Sequence, residues 1–222
     1  MLALCGSPEI ERVAWASVPA SVDPARGGGL DPAARGARKR WQIESLYTLL
    51  SSALGAADAP LNIVDFGAGS GNCSLALAAL LPRCHFTLVD RNPRAVAIAN
   101  ERARAAGLTN VDAVAATAEA FDAAALEIDV VLAVHACGAA SDDALEQALR
   151  LRCSYVLVPC CVGKLRLAAA APFAADPAPR QARSALLRAL VDSERYLQLA
   201  AFADHDGAAA AAEAGDELVN RG

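Results

Sequence analysis

The chain has 222 residues, enough for one domain with a sizeable core, and its 20 basic and 25 acidic side chains leave a net charge of −5. That balance argues against blanket binding of nucleic acid, and the lack of a run of about 18 strongly apolar residues argues against a membrane span. Seven cysteines in no framework spacing, behind a start (MLALCGSPEIER) that makes a poor signal peptide, point to reduced thiols and a cytoplasmic setting.

Residues 1–34 are rich in Pro, Gly and Ala and read as an irregular arm. From about Ala34 the stretch ARGARKRWQIESLYTLLSSAL sets Trp41, Ile43, Leu46, Leu49 and Leu50 at helical spacing. Between Arg26 and Arg40 lie five basic side chains (Arg26, Arg35, Arg38, Lys39, Arg40) against the single acid Asp31, a collar suited to phosphate or to plain solvation. Strands and helices then alternate. LNIVDFG, HFTLVD, VDAVAAT, IDVVLAVHACG and CSYVLVPCC read as strands, with SLALAALLP, PRAVAIANERARAAG and DDALEQALRL as the helices between them. Helical crossovers of that length imply a parallel, doubly wound α/β sheet over residues 35–166. Residues 167–222 offer one further helix, RQARSALLRALVDSERYLQLAAFA, and an Ala-rich acidic tail, with no further convincing strand. The sequence therefore reads as a fragment or as a sheet of five strands.

Two places carry chemistry. The first is the turn Asp65-Phe-Gly67-Ala68-Gly69-Ser-Gly71, where glycines let backbone approach a ligand. It misses the dinucleotide spacing G-x-G-x-x-G by one residue, because Asn72 stands where the third glycine belongs. An acid at position 65 would repel a pyrophosphate. Asp90 ends the next strand, where a carboxylate can accept both ribose hydroxyls, and Arg91 follows it. The second place is the end of strands four and five. His135, Cys137, Cys160 and Cys161 belong there, and they admit three roles: general base or nucleophile, zinc ligation, or packing. Cys73, Cys84 and Cys153 read as packing.

DFGAGSG followed by LVD resembles motif I and its sequel in the class I S-adenosylmethionine (AdoMet) methyltransferases. With HACG, a Ser-Asp-Asp and PCC in that order, the chain is similar over residues 13–207 to the methyltransferase-like domain of the glutathione S-transferase C-terminal domain-containing protein family. It is similar, more distantly, to the tRNA 2′-O-ribose methyltransferases. The resemblance implies a Rossmann-like methyltransferase fold with AdoMet as cofactor. Asp65, Gly67, Ala68, Gly69 and Gly71 would shape the methionine side, Asp90 and Arg91 the ribose side, and Ala118 and Glu119 the adenine side. On the tRNA analogy His135 and Asp142 would line the acceptor side, with His135 the expected base, and RNA would meet Arg35, Arg38, Lys39 and Arg40. Cys137 is a candidate nucleophile by its place after His135. No resident metal is expected. The opposing readings are a scaffold that binds AdoMet without catalysis and an NAD-dependent oxidoreductase.

Overall fold

The computed structural model describes residues 9–26, 35–57, 59–123, 126–136, 139–159 and 184–203. They divide into two compact units, residues 1–134 with 143–158, and residues 135–142 with 159–222. The first holds a five-stranded parallel sheet: β1 (Asn62–Phe66), β2 (His85–Asp90), β3 (Val111–Ala115), β4 (Val130–Val134) and β5 (Ser154–Val158). Their order, β3-β2-β1-β4-β5, reverses direction between β1 and β4, the switch point at which open α/β sheets bind ligands.

Register assigns the sheet faces. Val64 pairs with Thr87 and Val131, and Thr87 with Asp112; Asp65 pairs with Leu88 and Leu132. The face bearing Ile63, Leu88 and Leu132 packs into one apolar core with α1 (Arg35–Ala57) and α2 (Ser74–Leu80), and α3 (Pro93–Ala105) joins it through Ala99 and Ala103. Phe86, Leu75 and Leu77 are fully buried there, each contributing about 2–3 kcal/mol through removal from water. The central strand β4, VVLAV, is buried at every position, as expected of a strand covered on both faces. On the opposite face, α4 (Ala139–Leu151) buries Ala144 and Ala148, and Gln147 Nε2 donates to Ala118 O at 2.8 Å. The same face stays open over β1–β3, where Val114, Phe121 and Leu126 line a cavity of about 420 Å³.

The N-terminal arm is built into this unit. Val18 and Val22 belong to the core, and Glu44 of α1 accepts from Trp15 Nε1 at 3.0 Å and from Arg12 Nη1 at 3.0 Å. Trp41, expected on the inner stripe of α1, is 58% exposed instead, while Ile43, Leu46 and Leu50 are buried. Trp41 lies two positions from Ile43, about 200° round the helix, so both cannot face the core.

In the second unit the single helix expected over 180–203 is two, α5 (Ala185–Leu190) and α6 (Ser193–Ala203). Val191 is extended, at φ −132° and ψ 135°, and the Asp192 carboxylate accepts from Arg195 N at 2.8 Å. An aspartate that caps a new helix competes with continuing the old one. Among the described residues no helix is long and apolar enough to cross a membrane.

Candidate functional site

Strand β1 delivers Asp65 to the head of the glycine turn, and β2 delivers Asp90 beside it. Gly67, Gly69 and Gly71 all take positive φ, at 76°, 58° and 75°, the left-handed region that L side chains resist. Gly67 N donates to Val89 O at 2.8 Å and Ala68 N to the same carbonyl at 3.3 Å, so the turn is stitched onto β2. Gly69 N then donates to Asp90 Oδ2 at 2.8 Å, while Asn92 N donates to Asp90 Oδ1 at 2.8 Å. Each carboxylate oxygen has two lone pairs, so Asp90 holds the turn and keeps acceptor capacity for a pair of hydroxyls. A Cβ added at Gly69 would meet nothing within 4 Å, so the surface above the turn is open. At Gly71 a Cβ would lie 2.6 Å from Leu75 Cγ; that glycine is needed for packing.

Asp65 is buried. Its Oδ2 accepts a hydrogen bond from Ser74 Oγ, at the first residue of α2, and its Oδ1 has no partner among the described residues. Burial pushes its pKa up to about 7; the Ser74 hydrogen bond opposes this, the Asp90 charge adds to it, and the Val134 backbone and the Lys39 charge oppose it. An orphaned, desolvated carboxylate oxygen beside an open glycine turn suits a ligand that brings a cation. Lys39 reaches the same place from α1, with Nζ 3.7 Å from Cys73 Sγ and 2.8 Å from Gln42 Oε1.

Asn72, the residue that breaks the dinucleotide pattern, accepts from Arg102 Nη1 at 2.7 Å. A glycine there would lose that bond. Beyond β3, Thr117 Oγ1 accepts from Ala120 N at 3.2 Å, and the Ala118 carbonyl accepts from Gln147 Nε2 at 2.8 Å, which ties this turn to α4. Glu119 and Arg91 are exposed.

The expected collar is divided. Arg40 is committed to Asp23, with Nε and Nη2 at 2.9 Å and 2.5 Å from its two carboxylate oxygens, and stacks over Trp15 at 5.0 Å. Lys39 turns toward Cys73, and Arg35 and Arg38 are exposed. In the second unit His135 has φ 63°, unusual outside glycine, and Ser141 Oγ donates to Ala136 O; the half-buried Asp142 follows in the first turn of α4. Cys137, Cys160 and Cys161 lie outside the described residues. Arg102, Ser74 and Asp23 were not singled out in the sequence. Only Asn72, as a departure from a pattern, hinted at one of them.

A family model described as a methyltransferase domain matches residues 38–168. The chain belongs to that methyltransferase family. The domain is 33% identical over 149 residues to the mouse glutathione S-transferase C-terminal domain-containing protein, covering 67% of this chain and 22% of the mouse protein. It is 30% identical over 173 residues to the Drosophila melanogaster homologue, covering 78% of this chain and 27% of that protein. The methyltransferase domain thus spans about a quarter of the curated relatives it matches. It is also similar to the structure of the plantazolicin methyltransferase BpumL in complex with SAH, at TM-score 0.42 and 17% identity, covering 65% of this chain and 61% of that one. The residues of the turn fit AdoMet as a methyl donor: open space above Gly69, an Asp65 oxygen without a partner among the described residues, and an Asp90 carboxylate with acceptor capacity to spare.

Proposed function

We propose that this methyltransferase domain holds AdoMet between the glycine turn and Asp90, and methylates a hydroxyl of an RNA acceptor with His135 as the base. The observation that carries the cofactor placement is the bond from Gly69 N to Asp90 Oδ2, which fixes the open turn and the ribose acid as one assembly. When bound, AdoMet supplies an electrophilic methyl group on a sulfonium. Asp65 would pair with the ammonium of the methionine end, and Lys39 would balance its carboxylate. Gly67, Ala68, Gly69 and Gly71 supply a surface without side-chain obstruction. Asp90 would accept from the ribose hydroxyls with Arg91 beside them, and the turn at Ala118 and Glu119 would border the adenine.

Methyl transfer asks the protein for alignment and, for a hydroxyl acceptor, for removal of one proton. His135 is suited to take it, being an imidazole on a strained, left-handed backbone at the end of β4. On the resemblance to the tRNA enzymes, Asp142 would line the acceptor side with it. RNA is favoured by Arg35 and Arg38, exposed on the same first turns of α1 from which Lys39 reaches the start of α2. The free thiols of Cys73, Cys84 and Cys153 suit a reducing cytoplasmic setting.

Calorimetric titration with AdoMet, S-adenosylhomocysteine and NAD tests the cofactor: micromolar binding of the first two, and none of NAD, is expected. Transfer of labelled methyl from AdoMet to RNA then tests the acceptor. His135→Ala should cut turnover about 100-fold or more with cofactor affinity nearly unchanged. Loss of AdoMet binding in that variant would make His135 structural.

A further inference from the structure

Arg102 is an expensive residue where it stands. It projects from α3 beneath the glycine turn, where burial lowers its pKa, and Nη2 is buried without a hydrogen-bond partner among the described residues. No salt bridge joins it to a carboxylate among those residues. What the guanidinium does instead is hold three acceptors on two segments far apart in sequence. Nη1 donates to Ser70 O and to Asn72 Oδ1, both at 2.7 Å, and Nε donates to Ser21 O at 3.1 Å.

Ser70 and Asn72 flank Gly71 in the stretch least able to hold its own shape, since glycine loses the most conformational freedom on ordering. A planar fork with fixed donors is suited to such a clamp, and a lysine is not. Ser21 lies two residues before Asp23, the arm's anchor, where Arg26 Nε and Arg40 Nη2 meet one carboxylate at 2.6 Å and 2.5 Å. One chain of bonds therefore runs from α1 through Asp23 and the arm to Arg102 and the cofactor turn.

We propose that Arg102 is a positioning residue that preorganises the AdoMet turn, and that the N-terminal arm acts on cofactor affinity through it. The proposal rests on the AdoMet reading. A preorganised turn pays less ordering cost on binding, so removing the clamp should weaken the ligand without touching it.

The test is calorimetric titration with AdoMet of the wild type, Arg102→Ala, Arg102→Lys, Asn72→Ala and the Arg102→Ala/Asn72→Ala pair, each checked for folding by circular dichroism. Arg102→Ala should bind about tenfold more weakly, the loss of roughly one charge-assisted hydrogen bond, with Arg102→Lys recovering part of it. Asn72→Ala should weaken binding in the wild type and add little to Arg102→Ala. Asp23→Asn, remote from the turn, should weaken AdoMet severalfold in the wild type and leave Arg102→Ala unaffected. Folded Arg102→Ala with wild-type affinity, or independent effects of Arg102 and Asp23, would overturn the proposal. If Arg102→Ala does not fold, undiminished affinity in both Arg102→Lys and Asn72→Ala overturns it. A wild type that binds no AdoMet overturns the cofactor reading, and this inference with it.

Discussion

Asp65 concentrates the chemistry of the turn in one titration. Its carboxyl holds its proton in the folded chain up to about pH 7, whereas an ordinary aspartate loses it near 3.8. Between those values the folded state binds more protons than the unfolded state. Stability contributed by this group is therefore complete below 3.8 and falls as the pH rises toward 7. Urea unfolding of the wild type from pH 4 to pH 8 should show that decline, and Asp65→Asn should flatten it. An arriving ammonium favours the ionised form, so AdoMet affinity should rise with pH toward 7 in the wild type and much less in Asp65→Asn. The two glycines differ in the same spirit. Gly71→Ala sets a Cβ against Leu75 and should destabilise the fold by about 2–3 kcal/mol through overpacking and a strained φ. Gly69→Ala should cost only about 1 kcal/mol of backbone strain, yet lose far more in AdoMet affinity because its Cβ occupies the open approach. Chemical denaturation and calorimetry on the two variants would separate them.

At the scale of elements, the arm is a structural member held by the buried Asp23 carboxylate between two partly exposed arginines. Burial of Asp23 alone would raise its pKa, but hydrogen bonds from Arg40, Arg26 and the Ala25 N–H outweigh it and hold the value at about 2. The sign is opposite to that of Asp65: the contribution is present above 3.8 and is lost as the pH falls toward 2. Asp23→Asn should therefore cost about 3 kcal/mol at neutral pH, where it strands Arg26 and Arg40, and little near pH 2. Val22 beside it is fully buried, and Val22→Ala should cost about 2 kcal/mol by thermal unfolding.

Over the whole molecule, protection follows the sheet order. β1, β2 and β4 are inner strands buried along nearly their whole length, whereas β3 and β5 lie at the two edges and are largely open. Hydrogen exchange should be slowest in β1 and β4 and fastest among the strands in β3 and β5. The same order places Asp65 and Asp90 on neighbouring strands, although 25 residues of chain separate them. That juxtaposition turns two isolated acids into one site.

The sequence by itself determined the parallel α/β sheet, the glycine turn and the two acids flanking it. Each of these is written in local terms: continuous apolar runs of strand length, helical spacing between them, and glycines where backbone must turn left-handed. Asp192 was a local signal too, since an aspartate can cap a helix, but the apolar periodicity on both sides of it read as one helix. Only the tertiary structure decided the rest. The outward turn of Trp41 depends on which stripe of α1 meets α2. The roles of Asp23, Ser74 and Arg102 depend on partners up to 81 residues away. Asn72 shows the boundary most plainly: the sequence marks it as a missing glycine, and only the fold brings it the arginine that explains its presence. Local patterns fix the backbone path because they act within a turn or a strand, whereas a polar clamp exists only once distant segments share one place.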